Sequence, residues 1–376
     1  MNYPINQREK FSTVGNKRIA IFHNFLDNIG GAEVVSLLLA RGLKADIYTT
    51  NIDKEKISKM GFATSNIFSI GKVPLNAPFR QELTHWSFRK LNLGKKYDFY
   101  IISGDWAMSG AINNQPNLWY IYSPMREIFD LYPYTRKTTV PSGQRHLFDC
   151  WVFYHRWLIK KNSQKIKKLI SISQNVQARV KKYLGKDSEI IYPPTETSQF
   201  FYNQNGNFWL SVNRLINHKR LEIQLDAFRQ LPKEKLVIVG SYESANHFRS
   251  YARYIMKTKP ANVEILSWVT KKELITLYSN CKGFITTSKD EDYGLNVVEA
   301  MASGKPVIAP NEGGYKETII NHVTGKLIDD INPEKLVEVI KEVGQNPVIY
   351  REACQKQAKR FDLEIFIEKI KKIINE

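Results

Sequence analysis

The chain has 376 residues, 43% of them hydrophobic, which is ordinary for a globular protein and long enough for two full cores. Its net charge of +18 is uneven: residues 1–200 hold 29 Lys and Arg against 15 Asp and Glu, and the remainder holds 26 against 22. No apolar run reaches the roughly 18–20 residues that span a bilayer. The polar opening MNYPINQREKFSTVGNKR lacks a signal core, and Cys150, Cys281 and Cys354 have no metal-ligand or redox spacing. These features imply a cytosolic protein with reduced thiols.

In chain order, RIAIFH (18–23) reads as a strand, NFLDNIGG as a turn and AEVVSLLLARGL as a helix. ADIYTT (45–50), DFYIIS (98–103), LWYIYS (118–123) and KLISIS (168–173) are further short apolar runs, and QNVQARVKKYLG is a helical pattern. Strands alternating with helices predict a parallel sheet with crossover helices, whose ligands bind beyond the carboxyl ends of the strands. IIYPPTETSQF (190–200) breaks the pattern, because Pro193-Pro194 continues neither a helix nor a central strand. The alternation then restarts with FWLSVN, a helix from Lys219, KLVIVG, VEILSW, a helix from Lys271, GFITTS, an apolar helix through Glu299, PVIAP, a helix after Gly314, and GKLID. FDLEIFIEKIKKIINE has helical periodicity. The expected fold class is therefore α/β: two Rossmann-like, doubly wound parallel-sheet domains facing a central cleft, residues 1–195 and 196–360, with a C-terminal helix, 361–376, packing back on the first domain.

Within 131–182 stand twelve Lys and Arg against the single acid Asp149, together with Tyr132, Tyr134, Phe148, Trp151, Phe153, Tyr154 and Trp157. Basic residues beside aromatics fit an anionic membrane surface, where each nearby Lys or Arg contributes about 1 kcal/mol. A solvated face whose aromatics are core is the second reading. Nucleic acid is the third, and no nucleic-acid-binding motif accompanies the charge.

The chemistry concentrates in the second half. Arg214 and Lys219 lie in SVNRLINHKRLE, after a strand and around a helix start, where two cations can clamp a diphosphate and stabilise its departure. By themselves they are two cations of a basic protein. The turn around Trp268-Val269 offers backbone groups to a nucleobase edge, or else holds a packed aromatic. Glu291, in a Gly-containing loop, precedes Glu299 by eight residues, and Glu299 sits inside a helix. At 3.6 residues per turn both carboxylates can meet one ligand with two hydroxyl clusters, a need that a nucleotide sugar presents. The chain enters that helix at Gly294-Leu295-Asn296, so its free amides can meet a phosphate or sugar. Asn311-Glu312-Gly313-Gly314 is a further turn before a helix, with Glu317 read as a helix-capping residue.

In this order, NRLINHK, EDYGLNVVEAMASGKPVIA and GGYKE resemble the family 4 retaining glycosyltransferases of the GT-B fold. The resemblance spans the second half and implies roles. Arg214 and Lys219 hold the donor diphosphate, Glu299 the ribose hydroxyls, and Glu291 the transferred sugar. Val269, Gly294, Leu295 and Asn296 complete the donor site. In the first half, HNFLDNIGGAEVV looks like the family's glycine loop, with Gly30 and Gly31 approaching the donor phosphate, and YIYSPMREIFDLY resembles a mannosyltransferase subgroup of surface-polysaccharide assembly. Acceptor binding then falls to His23, Asp105, Tyr122 and Arg126. Tyr122 stands where those relatives carry a catalytic-site His, and Asp105 aligns with another. A phenol with pKa about 10 is a poor proton shuttle at neutral pH.

The resemblance implies transfer of a hexose, mannose as first choice, from a nucleotide-diphosphate sugar (GDP-mannose or a UDP-sugar) to a hydroxyl of a lipid-linked glycan or glycolipid, with retention at the anomeric carbon. Glu291, Arg214 and Lys219 carry the catalytic work. The expected partners are that donor, that acceptor and an anionic membrane surface, with no nucleic acid; no cofactor and no metal are expected, since no clustered Asp-x-Asp stands in place. The protein is expected to be cytoplasmic and peripheral on the membrane face. Two rivals share the sequence features: a transferase of this fold with a soluble acceptor, and a catalytically silent basic protein bound to membrane or nucleic acid.

Overall fold

The computed structural model describes residues 17–28, 30–240, 246–267 and 269–376. They divide into two compact units, one running to Tyr192 and taking in Glu364–Glu376, the other comprising Pro193–Leu363.

In the first unit the described residues form a parallel sheet of seven strands: β1 (Ile19–Phe22), β2 (Asp46–Thr49), β3 (Ile67–Ser69), β4 (Phe99–Ile102), β5 (Asn117–Ile121), β6 (Lys168–Ser171) and β7 (Glu189–Ile190). Their spatial order is β3-β2-β1-β4-β5-β6-β7, and every pairing is parallel. β1, β4 and β5 are buried along their whole length, as central strands covered on both faces must be. Their apolar runs made them legible in the sequence. β3 and β7 did not stand out, because they are edge strands of three and two residues, with Phe68, Ser69 and Glu189 exposed. The Leu363–Asn375 helix belongs to this unit: Ile367 lies where a Cβ on Gly42 would stand, 2.4 Å away, and Phe366 meets Tyr120 edge to face.

The second unit repeats the plan with six described strands: β8 (Phe208–Val212), β9 (Lys235–Val239), β10 (Val263–Leu266), β11 (Gly283–Ile285), β12 (Val307–Pro310) and β13 (Gly325–Ile328). The order β10-β9-β8-β11-β12-β13, again all parallel, is that of a dinucleotide-binding sheet. The helix expected from Lys219 begins later, at Leu221. A 3₁₀ turn over Asn217–Lys219 and a left-handed Arg220 (φ 48°) precede it. Thr195 pairs with Asp362, so the entry and exit of the unit lie side by side.

In both sheets the chain direction of the crossovers reverses beside the first strand, between β1 and β4 and between β8 and β11. Ligands of such sheets bind in the crevice beyond the strand carboxyl ends at this switch point. Among the described residues no helix is long and apolar enough to cross a membrane.

Candidate active site

At the second unit's switch point, β8 runs out into Asn213 and Arg214, and β11 into Thr286, Thr287 and Ser288. The three hydroxyl residues are fully buried, so they bond within the protein. Thr286 Oγ1 lies 2.8 Å from Tyr315 Oη, and Thr287 Oγ1 donates to the Lys219 carbonyl at 2.7 Å. This stitching carries the loop after β8 to the loop after β11. It seats Lys219, 9% exposed, so that Nζ donates to Glu291 Oε2 at 2.5 Å. Burial works to raise the Glu291 carboxyl, but the charge and hydrogen bond of Lys219, with help from His218 and Ser288, outweigh it and hold the group well below the usual carboxylate range. The result is a fixed ion pair at the strand ends, with the carboxylate ionised at neutral pH.

Glu299 follows in the Leu295–Ala302 helix, and its environment is the opposite. Burial raises its carboxyl to about 7; the Tyr278 hydroxyl, donating to Oε2 at 2.9 Å, and the charge of Lys271 offset only part of that. The helix opens at Gly294, whose left-handed φ of 92° suits glycine and whose missing Cβ leaves room for the Tyr315 ring, 2.7 Å from where that atom would stand. Asn296 Nδ2 donates to the Val212 carbonyl at 2.7 Å, tying the helix start to the end of β8. The first-turn amides of this helix thus point their partial positive charge at the switch point.

Two further contacts fix the Glu291 loop. Gly313, at φ 61°, passes so close that a Cβ would stand 2.5 Å from the Glu291 carbonyl oxygen and 2.7 Å from its nitrogen, and Gly314 N donates to that oxygen at 2.8 Å. Arg220 donates through Nε to the Thr287 carbonyl at 2.6 Å and through Nη2 to Glu312. The glycine turn therefore holds the Glu291 backbone, and Arg220 ties the loop after β11 to Glu312 of that turn.

The first unit's switch point holds a different device. His23, at the end of β1 and 2% exposed, faces Glu33 Oε1 through Nε2 at 3.3 Å and Ser36 Oγ through Nδ1 at 3.1 Å. Ser36 Oγ lies 2.6 Å from Ser103 Oγ and 3.2 Å from Tyr122 Oη. Tyr122 in turn donates to the Ala32 carbonyl at 3.0 Å. Burial pushes the Tyr122 phenol well up, and the Ser103 and Ser36 hydroxyls pull back only in part. Glu33 also caps the Gly31–Leu43 helix, accepting from Gly30 N at 2.8 Å. Burial raises its carboxyl, but the His23 hydrogen bond and charge prevail and the net direction is down. The GGAE sequence thus builds a helix start whose acid is held by the histidine of the neighbouring strand.

The structure brings Lys219, Glu291, Gly294, Leu295 and Asn296 to one end of the second sheet, and Glu299 follows about one turn into the helix that opens there, against Tyr278. Arg214 lies on the same loop as Lys219 and is exposed. Val269 precedes Thr270, the capping residue of the Lys271–Asn280 helix, and Trp268 lies outside the described residues. In the first unit His23 and Tyr122 share the polar network, and Gly30 and Gly31 open the adjoining helix. Asp105 follows β4, and Arg126 is paired with Asp130 at 2.8 Å. Sequence reading missed Ser36, Ser103, Thr287, Arg220 and Tyr278. Isolated hydroxyl residues carry no spacing signal, and Arg220 looked like one more cation beside Lys219.

Residues 195–361 match the family described as Glycosyl transferases group 1. An uncharacterized glycosyltransferase of Methanocaldococcus jannaschii is 24% identical over 59% of this chain, and the match spans 63% of that protein, less than two thirds of its length. An alpha-1,3/1,6-mannosyltransferase of Dictyostelium discoideum is 24% identical over 82% of this chain and 85% of its own. Among solved structures, that of Anabaena HepE in complex with UDP and glucose superposes with a TM-score of 0.75 at 17% identity, covering 96% of this chain and 100% of that one, which shows the fold. Residues 195–361 are thus similar to the glycosyl transferases group 1 family, and the two parallel-sheet units have the GT-B fold.

Proposed function

We propose that the protein transfers a hexose from a nucleotide-diphosphate sugar to a hydroxyl of a lipid-linked glycan or glycolipid, with retention at the anomeric carbon. The observation that carries the reading is the Lys219–Glu291 pair at the ends of β8 and β11, with Glu299 eight residues on in the helix that follows. Anionic Glu291 accepts hydrogen bonds from the sugar's hydroxyls. Lys219, already pulled to the strand ends, and Arg214 from the same loop meet the diphosphate and stabilise the charge it gains as the glycosidic bond breaks. Glu299, ionised once it accepts from the ribose hydroxyls, holds the nucleoside. The departing phosphate oxygen takes the acceptor's proton on the face it leaves, so no protein side chain is assigned as covalent nucleophile. No metal and no cofactor are assigned to the reaction.

Mannose is the first choice of sugar. The Dictyostelium relative is named a mannosyltransferase, while the Anabaena structure was solved with UDP and glucose, so both GDP-mannose and UDP-glucose belong in the test. The first unit is assigned the acceptor, through His23, Asp105, Tyr122 and Arg126. Gly30 and Gly31 are assigned to the donor phosphate, as the start of a helix whose dipole favours an anion. The protein is placed on the cytoplasmic membrane face as a peripheral protein.

Labelled GDP-mannose and UDP-glucose, each incubated with a membrane lipid extract and with EDTA, test this reading. Label should pass to the organic phase with the wild-type protein and not with Glu291→Ala. Transfer only to soluble sugars would refute the lipid-linked acceptor, and no donor turnover under any condition would refute the enzyme.

A further inference from the structure

Two helices of the first unit hold large apolar side chains in water. On the Arg145–Ser163 helix, Leu147, Phe153, Tyr154 and Trp157 are 74%, 77%, 42% and 52% exposed. At about 100° per residue they share one face with Lys160 and Lys161, while Val152, His155 and Ile159 take the buried face. On the Phe79–Lys90 helix, Phe79, Leu83 and Trp86 are 66%, 45% and 45% exposed. They recur at i, i+4 and i+7 in a single stripe that ends at Lys90. The helices join at Glu82, which accepts from Trp151 Nε1 at 2.7 Å and meets His155. Exposed apolar residues scattered singly need no explanation, but stripes on two joined helices do.

Beyond Glu82, which Trp151 and His155 occupy, the exposed charge on these two helices is basic. Asp149, the single acid within 131–182, is already taken by Arg136 at 2.7 Å and by Tyr132 at the same distance. Lys90, Lys137, Lys160 and Lys161 are all exposed. Lys161 Nζ lies 4.7 Å from the Trp157 ring centre, so a cation and an aromatic ring reach the surface together. A core reading fails because these rings lie in water, and a merely solvated face would not carry them. Aromatic rings with lysines alongside match the boundary of an anionic bilayer, where the rings sit at headgroup depth and ammonium groups reach the phosphates.

We propose that this two-helix face docks the protein on a bilayer containing anionic lipid, with Phe79, Trp86, Phe153 and Trp157 entering the headgroup layer and Lys90, Lys160 and Lys161 against the headgroups. The proposal deepens the lipid-linked acceptor reading by giving the membrane its surface, and it uses none of the residues assigned to donor or acceptor.

Flotation of the full chain with phosphatidylcholine vesicles, with or without about 30% phosphatidylglycerol, tests it. The protein should float with the anionic vesicles and weakly with the neutral ones, and about tenfold less after Phe153→Ser with Trp157→Ser. Trp157→Phe should keep binding. Lys160→Gln with Lys161→Gln should weaken it and flatten its salt dependence. An unchanged thermal melt and unchanged stabilisation by nucleotide show that the variants fold. Equal binding to both vesicles, or wild-type flotation of the double serine variant, overturns the proposal. So does a wild-type dimer that this variant turns to monomer, or an oligonucleotide that binds through the same residues, when no vesicle is bound. Vesicle binding without nucleotide-sugar binding leaves the docking face standing and removes the donor reading instead.

Discussion

Lys219 Nζ donates to Glu291 Oε2 at 2.5 Å although 72 residues separate them, because the two occupy neighbouring loops at the ends of β8 and β11. The pair places one cation and one acceptor where the unit's ligand belongs. Lys219→Ala should therefore lower donor turnover by about 10²–10³-fold, the cost of removing one preorganised donor from a developing charge. Steady-state kinetics with saturating acceptor read this directly.

The same pair predicts a pH dependence of stability. Glu291 has its carboxyl depressed in the folded protein, so its pairing contributes fully above the unfolded value near 4.5 and is lost as pH falls through the folded value. Lys219→Met leaves a buried carboxylate without its cation. Its melting temperature should lie well below wild type at pH 7, and the gap should shrink as pH falls below about 4.5. A gap independent of pH would mean the pair is not ionic in the folded state.

Glu299 predicts the opposite sign. Its folded pKa of about 7 lies above the unfolded value, so the group favours folding below about 4.5 and loses that contribution as pH rises through 7. Glu299→Gln, which keeps an acceptor for Tyr278, should match wild type near pH 4.5 and melt higher than wild type at pH 8. It should nonetheless bind nucleotide more weakly at pH 8, since the ribose contact uses the carboxylate. Thermal melts across pH, with and without nucleotide, check both halves.

Gly313 separates a strained backbone from a blocked site. Gly313→Ala adds a Cβ 2.5 Å from the Glu291 carbonyl at φ 61°, whereas Gly61→Ala, at φ 83°, meets nothing within 4 Å. Both should lose roughly 1–2 kcal/mol for the left-handed conformation. Gly313→Ala should lose more, and only that variant should lose donor turnover. Denaturant titration alongside kinetics distinguishes the two effects.

Tyr122 is held un-ionised by burial, so it cannot shuttle a proton in the neutral range. Tyr122→Phe should cost about 1 kcal/mol of stability by stripping the Ala32 carbonyl and Ser103 of a partner. The shape of the pH–rate profile between 6 and 9 should stay as in wild type. A lost limb in that range would make Tyr122 an acid–base group.

How far the sequence carried these conclusions depended on scale. The central strands were legible because burial on both faces demands continuous apolar runs, as in IAIF and FYII. Edge strands such as Ile67–Ser69 were not, since an edge needs neither length nor a second apolar face. Glu291, Glu299 and Lys219 stood out through spacing around recognisable turns. Thr287 and Arg220 did not, because what they do is set by a backbone carbonyl that folding brings from elsewhere. The exposure of Phe153 and Trp157 was hidden for the converse reason. A sequence shows that rings and cations alternate, but only packing shows which rings are left outside.

The β8–β11 switch point of the second unit should bind a nucleotide sugar. Calorimetric titration of the wild-type protein with GDP-mannose, UDP-glucose, GDP and UDP tests it most directly. Saturable binding of one nucleotide series is expected, weakened at least about tenfold, or about 1.4 kcal/mol, in Lys219→Ala and in Glu299→Gln at pH 8. Binding of neither series, or binding that both variants leave unchanged, would contradict it.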